Sequence, residues 1–219
     1  MLETMQLESI NVGDIETVAH NNKSFTSGIC KYPVVEPTYL DETGVRGDAV
    51  VNLEHHGGVD QAVYAYSADD YDWWARETGR EHLPGIFGEN LTIRGLPSDM
   101  NVGDRLLIGE VVLEATAPRI PCSTFAARIQ DSGFGMVFRK AERPGIYFRV
   151  LNGGEVSAGD AVIFVANDSS NVSILELFRF NYALRHETAD LHRFLAAPVA
   201  IRFRAKIESR LEAMGLPSS

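Results

Sequence analysis

The sequence predicts a mainly β fold: a barrel of short strands with a few short helices, followed by a small C-terminal appendage of three helices. Three observations carry this expectation. Short apolar runs that alternate with polar residues recur along the first three quarters of the chain. A Gly-Asp turn feeds an apolar run twice, as Val102-Gly103-Asp104 before Leu106-Leu107-Ile108 and as Ala158-Gly159-Asp160 before Val162-Ile163-Phe164. With Gly109-Glu110 and Asn152-Gly153-Gly154 as further hairpin turns, the strands return on their neighbours, and such a meander closes into a barrel. After the polar connector Asn167-Asp168-Ser169-Ser170-Asn171 the pattern becomes helical. The barrel domain is expected over 1–167 and the appendage over 168–219.

Residues 5–18 read as one or two strands, turning at Asn11-Val12-Gly13-Asp14. Residues 23–31 are polar, contain Gly28 and are expected to form a loop. Pro33 and Pro37 confine 32–40 to an edge or irregular strand. The next strands are 48–53 and 61–66, separated by the Gly-rich loop Glu54-His55-His56-Gly57-Gly58-Val59-Asp60. Ser67 can cap a helix whose first turn carries Asp69 and Asp70, which complement its dipole. Tyr71, Trp74 and Ala75 form its apolar face and Gly79 ends it, with Trp73 and Trp74 expected in core and interface positions. A second Gly-rich loop, 84–90, leads into strand 91–94. An alternating run, 111–115, then delivers Ala117-Pro118-Arg119-Ile120-Pro121-Cys122, a short helix over 123–129 follows, and 145–151 is a strong strand. In the tail, Ser173 and Glu176 make a capping box. A second helix is expected over 188–195, and a third from about Pro198 to Met214, stopped by Gly215 and Pro217. These helices are expected to pack against the barrel or against a second copy of the chain as a homodimer, being too small to bury a core alone.

At 219 residues the chain suits one domain plus a small appendage. Its net charge of -10 argues against nucleic-acid binding and against docking on an anionic membrane, because the phosphate term needs clustered Lys and Arg. No apolar run approaches a transmembrane helix and the amino terminus lacks a signal-peptide pattern, so the expected location is the cytoplasm. Cys30 and Cys122 form no disulfide framework and no CxxC pair, and a reducing compartment leaves both as thiols.

Cys122 is the candidate nucleophile or metal ligand. It leaves a strand, two prolines stiffen its approach, and Arg119 three residues upstream can lower a thiol pKa or receive an anion. The helix expected directly after it adds a dipole that favours a thiolate. A soft thiolate suits a soft or high-valent transition metal better than magnesium or calcium; the competing reading is a structural cysteine. Cys30 reads as a small core or loop residue. His55 and His56 are adjacent and point opposite ways in an extended loop, so one metal does not take both, and no zinc spacing is present. No GxSxG, Walker A or GxGxxG occurs.

His56-Gly57-Gly58-Val59-Asp60-Gln61-Ala62, Phe87-Gly88-Glu89-Asn90-Leu91-Thr92, Pro118-Arg119-Ile120-Pro121-Cys122 and Gly145-Ile146-Tyr147-Phe148-Arg149-Val150 occur in this order. Together they resemble the MOSC family (molybdenum cofactor sulfurase C-terminal domain), and within it the bacterial YiiM-like subgroup, over about residues 5–165. The helical tail looks like the appendage that subgroup carries. The resemblance implies a MOSC-type β-barrel with a molybdenum cofactor (molybdopterin) in its cleft and Cys122 as thiolate ligand to the metal. It implies reduction of N-hydroxylated compounds, hydroxylaminopurine base analogues among them, to amines. Lys31, Arg119, Arg143 and Arg149 are the expected contacts to the anionic cofactor, with His56 and Asn90 as polar contacts. Electrons would come from a separate protein, since no flavin, haem or iron–sulfur motif is present. Val59 and Gln61 stand where the family commonly has Pro and Lys, which weakens any phosphate or proton role at position 61. The alternatives are a non-redox sulfur or molybdenum-cofactor carrier using a Cys122 persulfide, and a binding module with a structural cysteine.

Overall fold

The computed structural model describes residues 5–51, 57–168 and 171–217. The strands are β1 (Met5–Val12), β2 (Glu16–His20), β3 (Lys23–Ser27), β4 (Tyr32–Val34), β5 (Thr38–Asp41), β6 (Gly44–Val45), β7 (Val63–Ser67), β8 (Leu91–Arg94), β9 (Arg105–Ile108), β10 (Val111–Pro118), β11 (Ile146–Asn152), β12 (Gly154–Val156) and β13 (Ala161–Val165). The helices are α1 (Ala68–Thr78), α2 (Ser123–Ile129), α3 (Phe134–Ala141), α4 (Ile174–Tyr182), α5 (Thr188–Ala196) and α6 (Ile201–Ala213).

The main sheet runs β13-β9-β10-β11-β7-β8-β1-β4, and pairing of Met5 and Gln6 with Val162 and Ala161 closes it into a barrel, leaving β4 outside the ring. The barrel expected from the repeated Gly-Asp turns is present, and those turns do feed β9 and β13, which pair with each other. Pro33 sits in β4, an edge position where its missing N–H costs no ladder bond. One pairing departs from a simple meander. β7 and β8 run parallel, because α1 carries the chain back between them.

Several local expectations are corrected. Part of 23–31 is a strand, not a loop: β2 and β3 form a hairpin whose turn residues Asn21 and Asn22 both have positive φ, 49° and 60°, the backbone that matches strand twist in a two-residue turn. Residues 48–51 are not a strand, and 52–53 lie outside the described residues. Helix α3 was not anticipated; Gly133 and Gly135 mask a segment that buries Phe134 and Phe138 one turn apart. Helix α6 starts at Ile201 rather than near Pro198, since Asp60 Oδ2 accepts from the Ile201 N–H at 2.7 Å and fixes the start there. The Ser173–Glu176 capping box forms as the sequence predicts.

The core is continuous from the barrel into the tail. Trp74 is fully buried and its indole N–H donates to Tyr66 Oη at 2.7 Å, so the helix tryptophan is a core residue. Phe138 is fully buried, stacks against Trp74 and Tyr66, and meets Phe178 of α4 edge-on. The tail docks on the barrel side of this core. Val102 N–H donates to Val172 O, Ile174 N–H to Met100 O and Ala200 N–H to Thr116 O. Among the described residues no helix is long and apolar enough to cross a membrane.

Phe138 therefore joins barrel, α3 and tail. Phe138→Ala is expected to cost about 3–5 kcal/mol of stability, read by chemical denaturation; a loss under about 1 kcal/mol would mean the tail does not share this core.

Candidate functional site

Strand β10 carries the site to the barrel rim. Its pairing with β11 is bulged between Ala115 and Ala117, so Thr116 is turned and its hydroxyl lies 2.6 Å from Asp60 O and 3.0 Å from Tyr147 O, able to donate to one at a time. Beyond the bulge, Pro118 to Cys122 leaves the sheet, and Cys122 takes the extended N-cap position of α2, its carbonyl accepting from Ala126 N–H at 3.1 Å. Helix α2 spans the seven residues the sequence predicts, and its dipole at Cys122 is correspondingly small.

Next to this segment is an open cleft, with Ile29, Lys31, Tyr64, Asn90, Arg119 and Tyr147 among its walls. The backbone of Gly28, Gly57 and Gly88 also faces it. At Gly88, φ is 77° and a Cβ would stand 3.0 Å from Ile29 Cγ1, so only glycine keeps this wall in place.

Two cations enter the cleft and they are treated differently. Lys31 is buried and its ammonium grips both oxygens of buried Asp48. Asp48 also accepts from Gly13 N–H and from Asn90 Nδ2, each at 2.9 Å. Burial holds the Lys31 pKa below its ordinary value despite Asp48. Asn90 is mostly a scaffold, its Oδ1 accepting from Tyr64 N–H at 3.2 Å.

Arg119 is 5% exposed. Its guanidinium lies over the rings of Tyr64 and Phe125, 5.1 Å from each centroid, and Nη1 donates to Tyr147 Oη at 3.2 Å. Nε is buried without a partner, and no carboxylate of the described residues pairs with it. Burial works to lower its pKa, but its surroundings on balance raise it, so the group stays cationic. Cys122 is half-buried at the core margin and electrostatically coupled to Arg119. It is not itself among the cleft-lining residues, whereas Arg119 and Thr124 on either side of it are.

The structure thus brings Lys31, Asn90 and Arg119 into one cleft, with Cys122 at its border. It does not bring Arg143 or Arg149 there, which corrects their expected placement. Arg143 pairs with buried Asp70 and stacks over Trp73 at 4.4 Å, on the α1 side of the barrel. Arg149 bridges Asp60 (2.9 Å) and Glu114 (3.4 Å) and donates to Pro198 O at 3.0 Å, pinning the tail to the loop before β7. Both arginines found acids far away in sequence, which charge alone does not reveal. His56 lies outside the described residues. Cys30 is buried, and burial pushes its thiol pKa up, so it is an unreactive core residue.

Asp48, Tyr64, Tyr147 and Glu89 were missed by sequence reasoning. Glu89 is fully buried; its Oε1 accepts from Tyr71 Oη, Gly85 N–H and Thr92 Oγ1, its Oε2 has no partner, and burial raises its pKa. It stood inside the motif Phe87 to Thr92, the one signal that could have found it.

A molybdenum-pterin group fits the donor set on chemical grounds. Among the described residues no cluster of three His, Cys, Asp or Glu could hold a metal; a pterin-bound metal brings ligands of its own, and Cys122 is the thiolate that would add to them. The orphaned Arg119 Nε and the glycine backbone suit an anionic group lying against the wall.

Residues 52–163 match the MOSC domain family, and the chain belongs to it. It is 30% identical over 195 residues to the uncharacterized protein YflK of Bacillus subtilis, covering 89% of this chain and 88% of that one. It is 32% identical over 160 residues to a protein of Gibberella moniliformis named "Reductase", covering 70% of this chain and only 28% of that protein. The crystal structure of YiiM from Geobacillus stearothermophilus superimposes with a TM-score of 0.78 at 28% identity, covering 94% of this chain and 99% of that one.

Asp48→Ala would leave the Lys31 ammonium buried and unpaired, and is expected to cost about 3–5 kcal/mol, measured by denaturant unfolding. A cost below about 1 kcal/mol would show that this pair behaves as a solvated one.

Proposed function

We propose that this protein is a molybdenum-cofactor-dependent oxidoreductase that reduces N-hydroxylated compounds, such as hydroxylaminopurine base analogues, to amines, a detoxifying activity of the cytoplasm. The observation that carries the reading is Arg119, a buried guanidinium that forms no ion pair with a carboxylate of the described residues and walls the cleft three residues from Cys122. MOSC family membership and similarity to a protein named as a reductase support a redox role.

Reduction of R–NHOH to R–NH2 takes up two electrons and two protons and releases water, so a separate electron-donor protein is part of the proposal. The cofactor, when bound, supplies the redox and oxygen-atom chemistry. Arg119 holds anionic charge in a dry site, where a charge-assisted hydrogen bond is strong. Tyr147 accepts from Arg119, which leaves its own O–H to donate into the cleft and fix an acceptor atom there. Tyr64 and Tyr147, 4.9 Å apart between centroids, exclude water from the Arg119 side. The Lys31–Asp48–Asn90 network ties together other residues of the cleft wall. Cys122 offers the soft donor at the border.

Protein made in a host that synthesises the cofactor is expected to contain stoichiometric molybdenum by elemental analysis and to reduce 6-hydroxylaminopurine with a reduced viologen dye. In Cys122→Ala the molybdenum content is expected to fall about tenfold or more while the thermal midpoint is kept. Wild-type protein free of molybdenum would end this reading, and sulfane sulfur on Cys122 in that metal-free protein would favour a sulfur carrier.

A further inference from the structure

Gln61 belongs to the cleft wall, and the tail fixes which way its amide is turned. It is half-buried at the end of a single 3-10 turn, Val59–Gln61, and lines the cleft together with Arg119 and Tyr147. Its main-chain N–H donates to Gly58 O at 2.9 Å, which closes the turn. Two consecutive residues at the start of α6 hold this turn from outside. The Ile201 N–H donates to Asp60 Oδ2 at 2.7 Å, and Arg202 Nη1 donates to Gln61 Oε1, also at 2.7 Å.

The second contact sets the orientation by its chemistry. A guanidinium carries N–H donors and no acceptor, whereas a carboxamide has an acceptor end and a donor end. The atom that meets Arg202 is therefore the oxygen, and the NH2 is the end left over. Among the described residues that NH2 donates to no group, and it is not sealed in the interior. A glutamine that can flip offers a ligand either a donor or an acceptor. Held by Arg202, it offers a donor only, whatever else Arg202 touches.

We infer that Gln61 is a specificity residue that donates from Nε2 to an acceptor atom on the ring of the substrate, with Arg202 as its positioning residue. The inference rests on the reductase reading for the hydroxylamine group and adds how the ring bearing that group is chosen. A ring nitrogen or carbonyl oxygen meets the amide donor. A hydrocarbon ring takes water from the donor and gives nothing back, which disfavours it. Through residue 61 the tail takes part in substrate choice.

The test is calorimetric titration of the full-length protein from a cofactor-producing host, with no electron donor present, so that no ligand is turned over. 6-Hydroxylaminopurine carries ring acceptors and N-phenylhydroxylamine carries none. Wild type is expected to bind the purine at least about tenfold more tightly. Gln61→Glu keeps a partner for Arg202 and puts an acceptor where the donor stood. It should abolish the preference at an equal or higher thermal midpoint, with the affinity for N-phenylhydroxylamine kept. A residue with a structural role alone would leave the preference intact in this variant. No binding of the purine, no preference in wild type, a preference that survives Gln61→Glu, or loss of both affinities together would each overturn the inference. A Gln61-dependent preference in protein that reduces neither compound with a reduced viologen dye would leave the inference standing and remove the reductase reading. Reduction of both compounds with no ring preference would do the reverse.

Discussion

The fold around the cleft is organised by one expensive group, the Arg119 guanidinium. Burying a charge costs several kcal/mol even after relaxation, and no carboxylate of the described residues forms an ion pair with it. Two aromatic faces, one tyrosine hydroxyl and the more distant Glu89 charge are what the protein supplies. Cation–π contacts contribute roughly 0.5–2 kcal/mol each, so the compensation is partial. The contrast with Lys31 is instructive: that cation is given a carboxylate, and the carboxylate is itself fixed by two further donors. Of these two cations of the cleft, Lys31 is paired with a carboxylate and Arg119 forms no ion pair among the described residues. On the proposed function, that asymmetry suits the cleft to an anion.

Placing Arg119 requires the chain to leave β10 in one definite direction. The bulge at Thr116 and the two prolines that follow do this, and Asp60 ties the result together. Its carbonyl can receive the Thr116 hydroxyl, one carboxylate oxygen pairs with Arg149, and the other accepts from the first N–H of α6. The acid of the Gly-Gly loop is thus a mechanical link between loop, strand and tail. It also explains why Arg149 is unavailable to the cleft.

Much of this was legible in the sequence, and the failures have physical reasons. Turn residues announce hairpins locally, so the Gly-Asp repeats and the Ser173 cap predicted β9, β13 and α4 correctly. The Asn21-Asn22 turn was overlooked because asparagine adopts positive φ only in some contexts. The parallel pairing of β7 with β8 is non-local, and no residue within either strand encodes it. Near the cleft, the strand before Cys122 and the short helix after it were foreseen because the alternating run and the two prolines are local signals. Arg143 and Arg149 were misplaced because an arginine looks the same in sequence whether it meets a ligand or a distant aspartate. Asp48 and Glu89 act through burial, which charge patterning in sequence does not show.

The most direct measurement is the pterin content of purified protein from a cofactor-competent host, read by fluorescence after oxidation, in wild type and in Arg119→Met. The guanidinium-centred account predicts pterin in wild type and its loss in a folded Arg119→Met protein, since methionine fills the space without charge. Equal pterin in both proteins would contradict it.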